Sequence, residues 1–253
     1  MGRPPDEKPM LVVGVHAVSE AIRWAPDAVV SVLVETPENR AVHPILSEAL
    51  HRGLKVQSVP AREFRMAVRD ESRQRIAAWM RPFSYEDDED LLERVLNGDA
   101  GLAVALDCVQ DPQNLGSILR TCAYFGVVGV LLPRDRSVPI TPAVIRASAG
   151  AAYRVPIAQV TNLSRTIRAW RERGVQAVGA VVRGGIGIAD LRVERRCMLV
   201  LGSEHAGLRR LVRESCDGLV SIPSGTDFDS LNVGVAAGIL IHAMSGGIKA
   251  AMR

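Results

Sequence analysis

The sequence predicts an α/β protein, with a small N-terminal α/β unit followed by a larger domain built on a mostly parallel sheet. Three observations support this fold class. Apolar segments of strand length alternate with segments of helical periodicity along the chain, which is the pattern of successive strand–helix units. In the C-terminal part, short apolar strands are followed by helices, which favours a parallel sheet covered on both faces. Several of those strands end in turns of small and polar residues.

The N-terminal unit is assigned to residues 10–83. Ser19 is placed to cap its first helix, and Gly53 ends its second, because a hydroxyl caps a helix N-terminus and glycine accepts the backbone conformation that ends one. The predicted helices are Val18–Trp24, Ile45–Arg52 and Phe64–Val68. The predicted strands are Val29–Val34, Leu54–Val59 and Ile76–Met80.

Residues 84–100 are predicted to form a linker. An acidic run over residues 86–90 precedes an amphipathic stretch, and carboxylates favour the N-terminal end of a helix. We expect a solvated helix here rather than an acidic interaction motif, ended by the turn residues 97–101.

The C-terminal domain is assigned to residues 101–253, where strands and helices alternate regularly. The predicted strands are Leu102–Leu106, Val127–Leu132, Gln176–Val182, Met198–Leu201 and Leu219–Ile222. The predicted helices are Leu115–Phe125, Pro142–Ala149, Leu163–Arg173, Leu208–Glu214 and Ser230–Met244.

The composition is that of an ordinary globular protein, with 47% hydrophobic and 23% charged residues. The formal net charge of +3 is too small to indicate a nucleic-acid partner by itself. Lys8, Lys55 and Lys249 are the only lysines, so nearly all cations are arginine, which binds phosphate in a bidentate manner. Arginine-rich codon usage explains the same bias equally well.

The four cysteines are scattered, without a paired C-x-x-C motif or a histidine at ligand spacing. This pattern favours buried thiols in a reducing compartment over disulfides or a metal site. The first nine residues are polar and contain three prolines, unlike a signal peptide, and no apolar stretch reaches membrane-spanning length. We therefore expect a cytoplasmic protein with no metal and no membrane partner.

Polar residues follow three apolar strands of the C-terminal domain, and they are the candidate site. The segments are Leu102–Asp107 with Asp111–Arg120, then Leu199–Leu208, then Ile222–Val233. Because parallel sheets bind their ligands in crevices at the carboxyl ends of their strands, these residues are expected to surround one crevice.

Asn114 and Arg120 are the most specific pair in the first of these segments. Asn114 follows a Pro-Gln turn and suits the start of a helix, either as its cap or one residue inside it. Arg120 is a cation among apolar neighbours on the strand-facing side of that helix, so it needs an anionic partner or a function. A salt bridge to Asp107 and a functional role are equally open from these residues.

The helix predicted over Ser230–Met244 is apolar on nearly every side, which is typical of a helix buried in a core or an interface. Asp229 or Ser230 is expected to cap it, and its free N–H groups face the crevice. Two other features are weaker evidence of function. Gly184–Gly187 lacks the full G-x-G-x-x-G spacing and indicates a surface turn, and His205 is interpreted as a turn residue rather than a catalytic base.

Together the three segments resemble the SpoU family, also called TrmH, of knotted RNA 2′-O-ribose methyltransferases in the SPOUT superfamily. The first family motif is similar to Asp111-Pro-Gln-Asn-Leu-Gly-Ser-Ile-Leu-Arg-Thr121. The second is similar to Leu199-Val-Leu-Gly-Ser-Glu-His-Ala-Gly-Leu208, and the third to Ile222-Pro223 with Ser230–Ala237. Residues 160–166 and 213–217 look most like the bacterial 23S rRNA guanosine 2′-O-methyltransferase subgroup.

The resemblance implies an α/β domain whose C-terminal segment threads a deep trefoil knot, a rare exception among protein folds. It implies S-adenosylmethionine as the cofactor and a homodimer formed through the knotted domain. The implied cofactor-binding residues are Leu201, Gly202, Ile222 and Leu231.

The implied reaction is methylation of a ribose 2′-hydroxyl in RNA, with a guanosine of 23S rRNA as the expected target. Arg120 has the central role, as base or as stabiliser of the attacking oxygen, and the permanent charge of a guanidinium favours the second. Asn114 would position Arg120 or the ribose, and Glu204 and Asn232 would order the crevice. Ser230 would bind the nucleotide or Arg120.

The N-terminal unit resembles the ribosomal-protein L30e-like substrate-binding domain that often accompanies this family, with Gly14–Val18 as the matching opening. Ser72–Ile76 departs from the His-Gln-Gly of relatives, and Gly234 stands where they often have serine. Three alternatives stay open: a tRNA or resistance-type rRNA methyltransferase, a catalytically silent RNA-binding or ribosome-assembly protein, and a nicotinamide-dependent oxidoreductase. The missing G-x-G-x-x-G argues against the last.

Overall fold

The computed structural model describes residues 8–37, 40–68, 74–204, 206–227 and 230–251. These form two compact units. The first contains the described residues up to Ser84 together with Ile140–Arg154, and the second contains Tyr85–Pro139 and the described residues from Val155 onward. Among the described residues, no helix is long and apolar enough to cross a membrane.

Strands and helices alternate through the described residues, as the sequence predicts. The strands are β1 (Met10–Val13), β2 (Val29–Thr36), β3 (Val56–Pro60), β4 (Ile76–Met80), β5 (Gly101–Leu106), β6 (Gly129–Pro133), β7 (Ile157–Val160), β8 (Gln176–Ala180), β9 (Ile186–Gly187), β10 (Arg196–Leu201) and β11 (Gly218–Ser221). The α-helices are α1 (Val15–Trp24), α2 (His43–His51), α3 (Ala61–Val68), α4 (Asp88–Asn97), α5 (Pro112–Phe125), α6 (Pro142–Ala147), α7 (Leu163–Glu172), α8 (Arg210–Arg213) and α9 (Val233–Ala251).

The first unit is built on a sheet with the strand order β1-β4-β2-β3, which we call the small sheet. Strand β4 is antiparallel to both β1 and β2, whereas β2 and β3 are parallel. Phe64 of α3 is buried against Val13, Leu33 and Ala77. One aromatic side chain from a short helix therefore covers the centre of one sheet face.

Residues 140–154 also belong to the first unit, although the sequence places them within the C-terminal domain. Helix α6 packs against β1, and a short 3-10 helix, Ala151–Tyr153, packs against α1. Gly150 makes this approach possible. Its φ is +86°, and a Cβ atom there would lie 2.6 Å from Cβ of Glu20, so a larger residue would be both strained and obstructed.

The second unit is built on the large sheet, whose strand order is β7-β6-β5-β10-β8-β11-β9. All its pairings are parallel, which confirms the predicted parallel α/β class. Because the strands share one direction, the turns that follow β5, β8, β10 and β11 meet at a single edge.

Helices cover both faces of the large sheet. On one face, α4, α7 and α8 contribute Leu91, Ile167, Trp170 and Val212 to a buried cluster with alternate residues of β5 and β10. On the other face, α5 and α9 pack against each other, and α9 also contacts β5 and β10. Double coverage explains why the strands contain continuous apolar runs.

Helix α4 differs from the solvated linker expected for residues 84–100. Its N-terminus is capped by Asp87, whose side chain accepts a hydrogen bond from the Glu89 amide at 3.0 Å. However, Leu91, Leu92 and Val95 are buried in the core of the second unit. The acidic turn is an N-terminal signal, and the amphipathic stretch behind it is a core element.

Other differences concern short elements and helix ends. The short strands β1, β7 and β9, which contain two to four residues, were not predicted from the sequence. The last helix begins at Val233 rather than Ser230 and continues to Ala251.

Candidate active site

A cavity of about 1060 Å³ opens at the carboxyl edge of the large sheet. It is formed by the turns after β8, β10 and β11 and by the first turns of α9. All four residues expected to bind a cofactor line it: Leu201, Gly202, Ile222 and Leu231. Glu204 and Ser230 line it as well.

The turn after β10, residues 202–209, is here called the β10 loop; its His205 lies outside the described residues. The loop is closed by backbone contacts between Ser203 and Gly207, whose amides each donate to the other's carbonyl at 3.2 and 2.9 Å. A Cβ atom on Gly202 would overlap the backbone of Gly207 and Leu208. Glycine at 202 is thus required by the loop itself, in addition to lining the cavity.

Asp107, directly after β5, anchors the other end of this loop. Its fully buried carboxylate accepts hydrogen bonds from the Arg209 backbone amide at 2.8 Å and from Nε of Arg209 at 2.7 Å. The hydrogen bond to Asp107 raises the pKa of Arg209. The alternative that paired Asp107 with Arg120 is therefore wrong, since Arg209 occupies that carboxylate.

Asn114, Glu204 and Asn232 form one hydrogen-bonded cluster, here called the amide–carboxylate cluster. Nδ2 of Asn232 donates to Oδ1 of Asn114 at 2.9 Å and to Oε2 of Glu204 at 3.4 Å. Nδ2 of Asn114 donates to the same Glu204 oxygen at 3.3 Å. The three predicted residues come from three separate segments, and the structure brings them together.

The helix caps beside this cluster differ from those predicted. Asp111 caps α5, accepting from the amides of Gln113 and Asn114 at 3.2 Å each, so Asn114 is the third helical residue and not the cap. Asn232 caps α9, because its Oδ1 accepts from Gly234 and Val235 at 2.9 and 3.3 Å. Ser230 is not the cap, and Asp229 lies outside the described residues.

Arg120 is exposed on α5, and its side chain makes no hydrogen bond or ion pair with any residue that the structure describes. The amide–carboxylate cluster is therefore held together without it. Ser117, three residues earlier on the same helix face, lies beside α9, where a Cβ on Gly234 would be 3.2 Å from Oγ of Ser117. Arg120 was expected on the strand-facing side of the helix, but the structure leaves its charge open to solvent.

The other sequence features have less prominent places. Gly184 lies in a bend and lines the cavity, and Ile186 and Gly187 form the edge strand β9. All four cysteines are free thiols, as expected, but only Cys122 and Cys197 are buried, whereas Cys108 and Cys216 are half-buried. Burial raises the pKa of Cys216 to about 11 and that of Cys197 to about 12, so neither is a nucleophile at neutral pH.

Sequence reasoning missed Arg209 as the partner of Asp107, as well as the cavity wall formed by residues 180–183. Arg209 had a usable signal, because it directly follows the polar turn of a strand that is parallel to β5. Residues 180–183 had none, since most of them fall within the predicted strand Gln176–Val182.

Comparison with known proteins agrees with this geometry. The model of the SpoU rRNA methylase family matches residues 101–242. The chain belongs to the SpoU rRNA methylase family. A second model, described as the RNA 2′-O ribose methyltransferase substrate-binding domain, matches residues 11–86. The chain is thus an RNA methyltransferase of the SpoU family, as the three sequence motifs predict.

Relatives with similar sequences match most of this chain. An uncharacterised tRNA/rRNA methyltransferase of Mycobacterium avium is 38% identical over 240 residues, covering 94% of this chain and 78% of the relative. A similar methyltransferase of Mycobacterium tuberculosis is 37% identical, covering 91% of this chain and 72% of its own length.

Two crystal structures of SpoU-type enzymes share the fold. The SpoU methyltransferase AviRb of Streptomyces viridochromogenes, solved in complex with AdoMet, has a TM-score of 0.79 at 22% identity, covering 96% of this chain and 92% of AviRb. An AdoMet-bound rRNA methyltransferase of Sinorhizobium meliloti has a TM-score of 0.77 at 24% identity, covering 94% of this chain and 86% of that chain.

Proposed function

We propose that this SpoU-family RNA methyltransferase uses S-adenosylmethionine to methylate a ribose 2′-hydroxyl in RNA, at a guanosine of 23S rRNA. The observation that carries the proposal is the position of Glu204. It lines the cavity and also accepts hydrogen bonds from Asn114 and Asn232. One residue therefore connects a cofactor-sized cavity to a polar cluster that faces the substrate.

The residues present fit S-adenosylmethionine. A volume of about 1060 Å³ is at the upper end of ligand cavities, which measure about 300–1,000 Å³. Leu201, Ile222 and Leu231 offer apolar contacts for a flat base, and Gly202 lets the backbone approach closely. Glu204 adds a carboxylate at a wall of the cavity, which complements a cationic sulfur. Bound there, the cofactor supplies a methyl group activated for transfer to an oxygen nucleophile.

The protein's own part in such a reaction is alignment and charge stabilisation. Asn114 and Asn232 hold each other and Glu204 in place, and a fixed geometry can lower the barrier of a two-reactant step by about 7 kcal/mol or more. We assign Arg120 to the RNA phosphate next to the target ribose, where its guanidinium also stabilises negative charge that develops on the attacking oxygen. Its side chain has no partner among the residues that the structure describes, which supports this role.

A homodimer through the second unit is part of the proposal. Val235 and Ile239 expose apolar side chains four residues apart on α9, so they share one face. Tyr124 is exposed on the neighbouring helix α5. Exposed apolar groups on two packed helices are typical of a subunit interface.

The trefoil knot and the cytoplasmic location stay predictions. Strand β10 lies between β5 and β8 in the large sheet, and the chain then returns through α9 to pack on α5. This path is compatible with a C-terminal segment that is threaded through an earlier loop.

The substrate class can be tested with radiolabelled S-adenosylmethionine and two separate RNA pools, unmodified large-subunit rRNA and tRNA. Label in 23S rRNA is the expected result. Label in tRNA would keep the chemistry and overturn the target. Cofactor binding without label in either pool would contradict the proposed reaction and favour a silent RNA-binding protein.

A further inference from the structure

Trp24 is an exposed aromatic residue that the proposed reaction does not use. It is the last residue of α1, and 47% of its surface is accessible to solvent. The other two tryptophans differ, since Trp79 is half-buried and Trp170 is buried. Nearly half of the Trp24 surface is thus open to an external ligand.

Two arginines approach this ring. The guanidinium carbon of Arg23 lies 5.9 Å from the ring centroid, and that of Arg154 lies 5.3 Å from it, both within the range of a cation–π contact. Both arginines are exposed, and neither side chain has a hydrogen bond or ion pair with any residue among those described. Their charges are therefore available to an external anion.

Arg154 is distant from Trp24 in sequence, but residues 140–154 pack in the first unit and bring it close. The 3-10 helix that precedes Arg154 packs against α1, and Gly150 permits the close approach to Glu20. The arrangement is thus built by packing within the first unit, not by a chance side-chain conformation.

We propose that Arg23, Trp24 and Arg154, here called the Trp24 platform, bind an unpaired nucleotide of the RNA substrate. A nucleobase presents a flat π face for the indole or for a guanidinium, and its phosphate is an anion for the free arginines. The proposal rests on the proposed function, and Trp24 lies within the region matched by the substrate-binding model. A folded duplex hides its base faces, so the platform selects single-stranded or looped RNA.

Binding of a labelled 12-nucleotide single-stranded RNA tests the platform, with the same strand in a duplex for comparison. W24A is expected to weaken single-strand binding by about tenfold, because base–aromatic stacking contributes about 1–3 kcal/mol per base. W24F keeps a ring and should stay within about threefold of wild type. The salt concentration must be fixed, since phosphate contacts depend on it.

The control is L50A, which removes another exposed apolar side chain of the first unit, on α2. It should bind both RNAs like wild type, as should W24A with the duplex. R154A should lower the salt dependence of binding by about one phosphate contact. Quenching of tryptophan fluorescence by the single strand should disappear in W24F, which reports stacking independently of affinity.

Unchanged single-strand affinity in W24A would overturn the platform, and so would an equal loss for single strand and duplex. Methyl transfer separates this failure from failure of the proposed function. If wild type methylates RNA and W24A has a raised KM with an unchanged kcat, both proposals stand. If wild type methylates RNA and W24A has the same KM, the platform alone is wrong; if wild type transfers no methyl group, the proposed function is wrong.

Discussion

The β10 loop and the outer surface of α5 each carry an arginine that follows a central strand of the large sheet, and the surroundings of the two arginines are opposite. Arg209 in the β10 loop binds a fully buried carboxylate, Asp107, through its backbone and its side chain. Arg120 on α5 is exposed and has no partner among the described residues. A satisfied arginine stabilises the fold, whereas an exposed arginine without a partner is available to substrate.

We expect the largest effect on methyl transfer from substitution of Arg120. R120A should reduce methyl transfer by about 10²–10³-fold, as expected for loss of one group that stabilises transition-state charge. Cofactor affinity should stay within a few fold, and the free energy of unfolding within about 0.5 kcal/mol, measured by titration and denaturation. Lost cofactor binding in a folded R120A protein would assign Arg120 to the cofactor instead.

Substitution of Asp107 tests whether its pair with Arg209 stabilises the fold. D107A should lower the free energy of unfolding by about 2–3 kcal/mol in urea denaturation, less than the roughly 3–5 kcal/mol for a fully buried pair, because the Arg209 side chain is 40% exposed. E214A is the control, since it breaks the exposed pair of Arg210 and Glu214 and should cost no more than about 0.5 kcal/mol. Equal losses of unfolding free energy in D107A and E214A would contradict the structural role that we assign to Arg209.

The β10 loop offers a third test at Gly202. G202A should weaken cofactor binding by about tenfold, equal to about 1.4 kcal/mol, because the added Cβ displaces the backbone of Gly207 and Leu208. G225A is matched to it. Gly225 lines the same cavity, and a Cβ there meets nothing within 4 Å, so calorimetry should give wild-type affinity for G225A. Wild-type affinity in G202A would contradict the placement of the cofactor.

Asn232 joins the two regions and carries the smallest expected effect. N232A should cost about 1 kcal/mol of stability through loss of the α9 cap. N232D keeps an oxygen for the cap but loses both amide donors and places a second negative charge beside Glu204. Its stability should stay near wild type while methyl transfer slows by about fivefold. If N232A and N232D lose activity and stability in parallel, Asn232 is a cap alone.

The sequence predicted the parallel sheet because apolar runs in doubly covered strands are continuous, and it predicted Asn114, Glu204 and Asn232 through the family motifs. It could not choose the partner of Asp107. Arg120 and Arg209 are equally plausible from their residue types, and the choice depends on which way α5 faces. The role of α4 was missed for a related reason, because the same amphipathic pattern describes a linker helix and a helix packed on the sheet.

The Trp24 platform could not be predicted from the sequence. Arg23 and Trp24 are adjacent in the chain, but Arg154 is 130 positions away from Trp24 in sequence, and it joins them only because residues 140–154 pack in the first unit. Contacts of this kind follow from tertiary structure and leave no local pattern.

The most direct test of the central claim is the chemical position of the transferred methyl group. RNA methylated by the wild-type enzyme would be digested to nucleosides and analysed by mass spectrometry, with R120A as the inactive comparison. We expect 2′-O-methylguanosine, formed by wild type and nearly absent with R120A. A methyl group on a base, or equal ribose methylation by R120A, would contradict it.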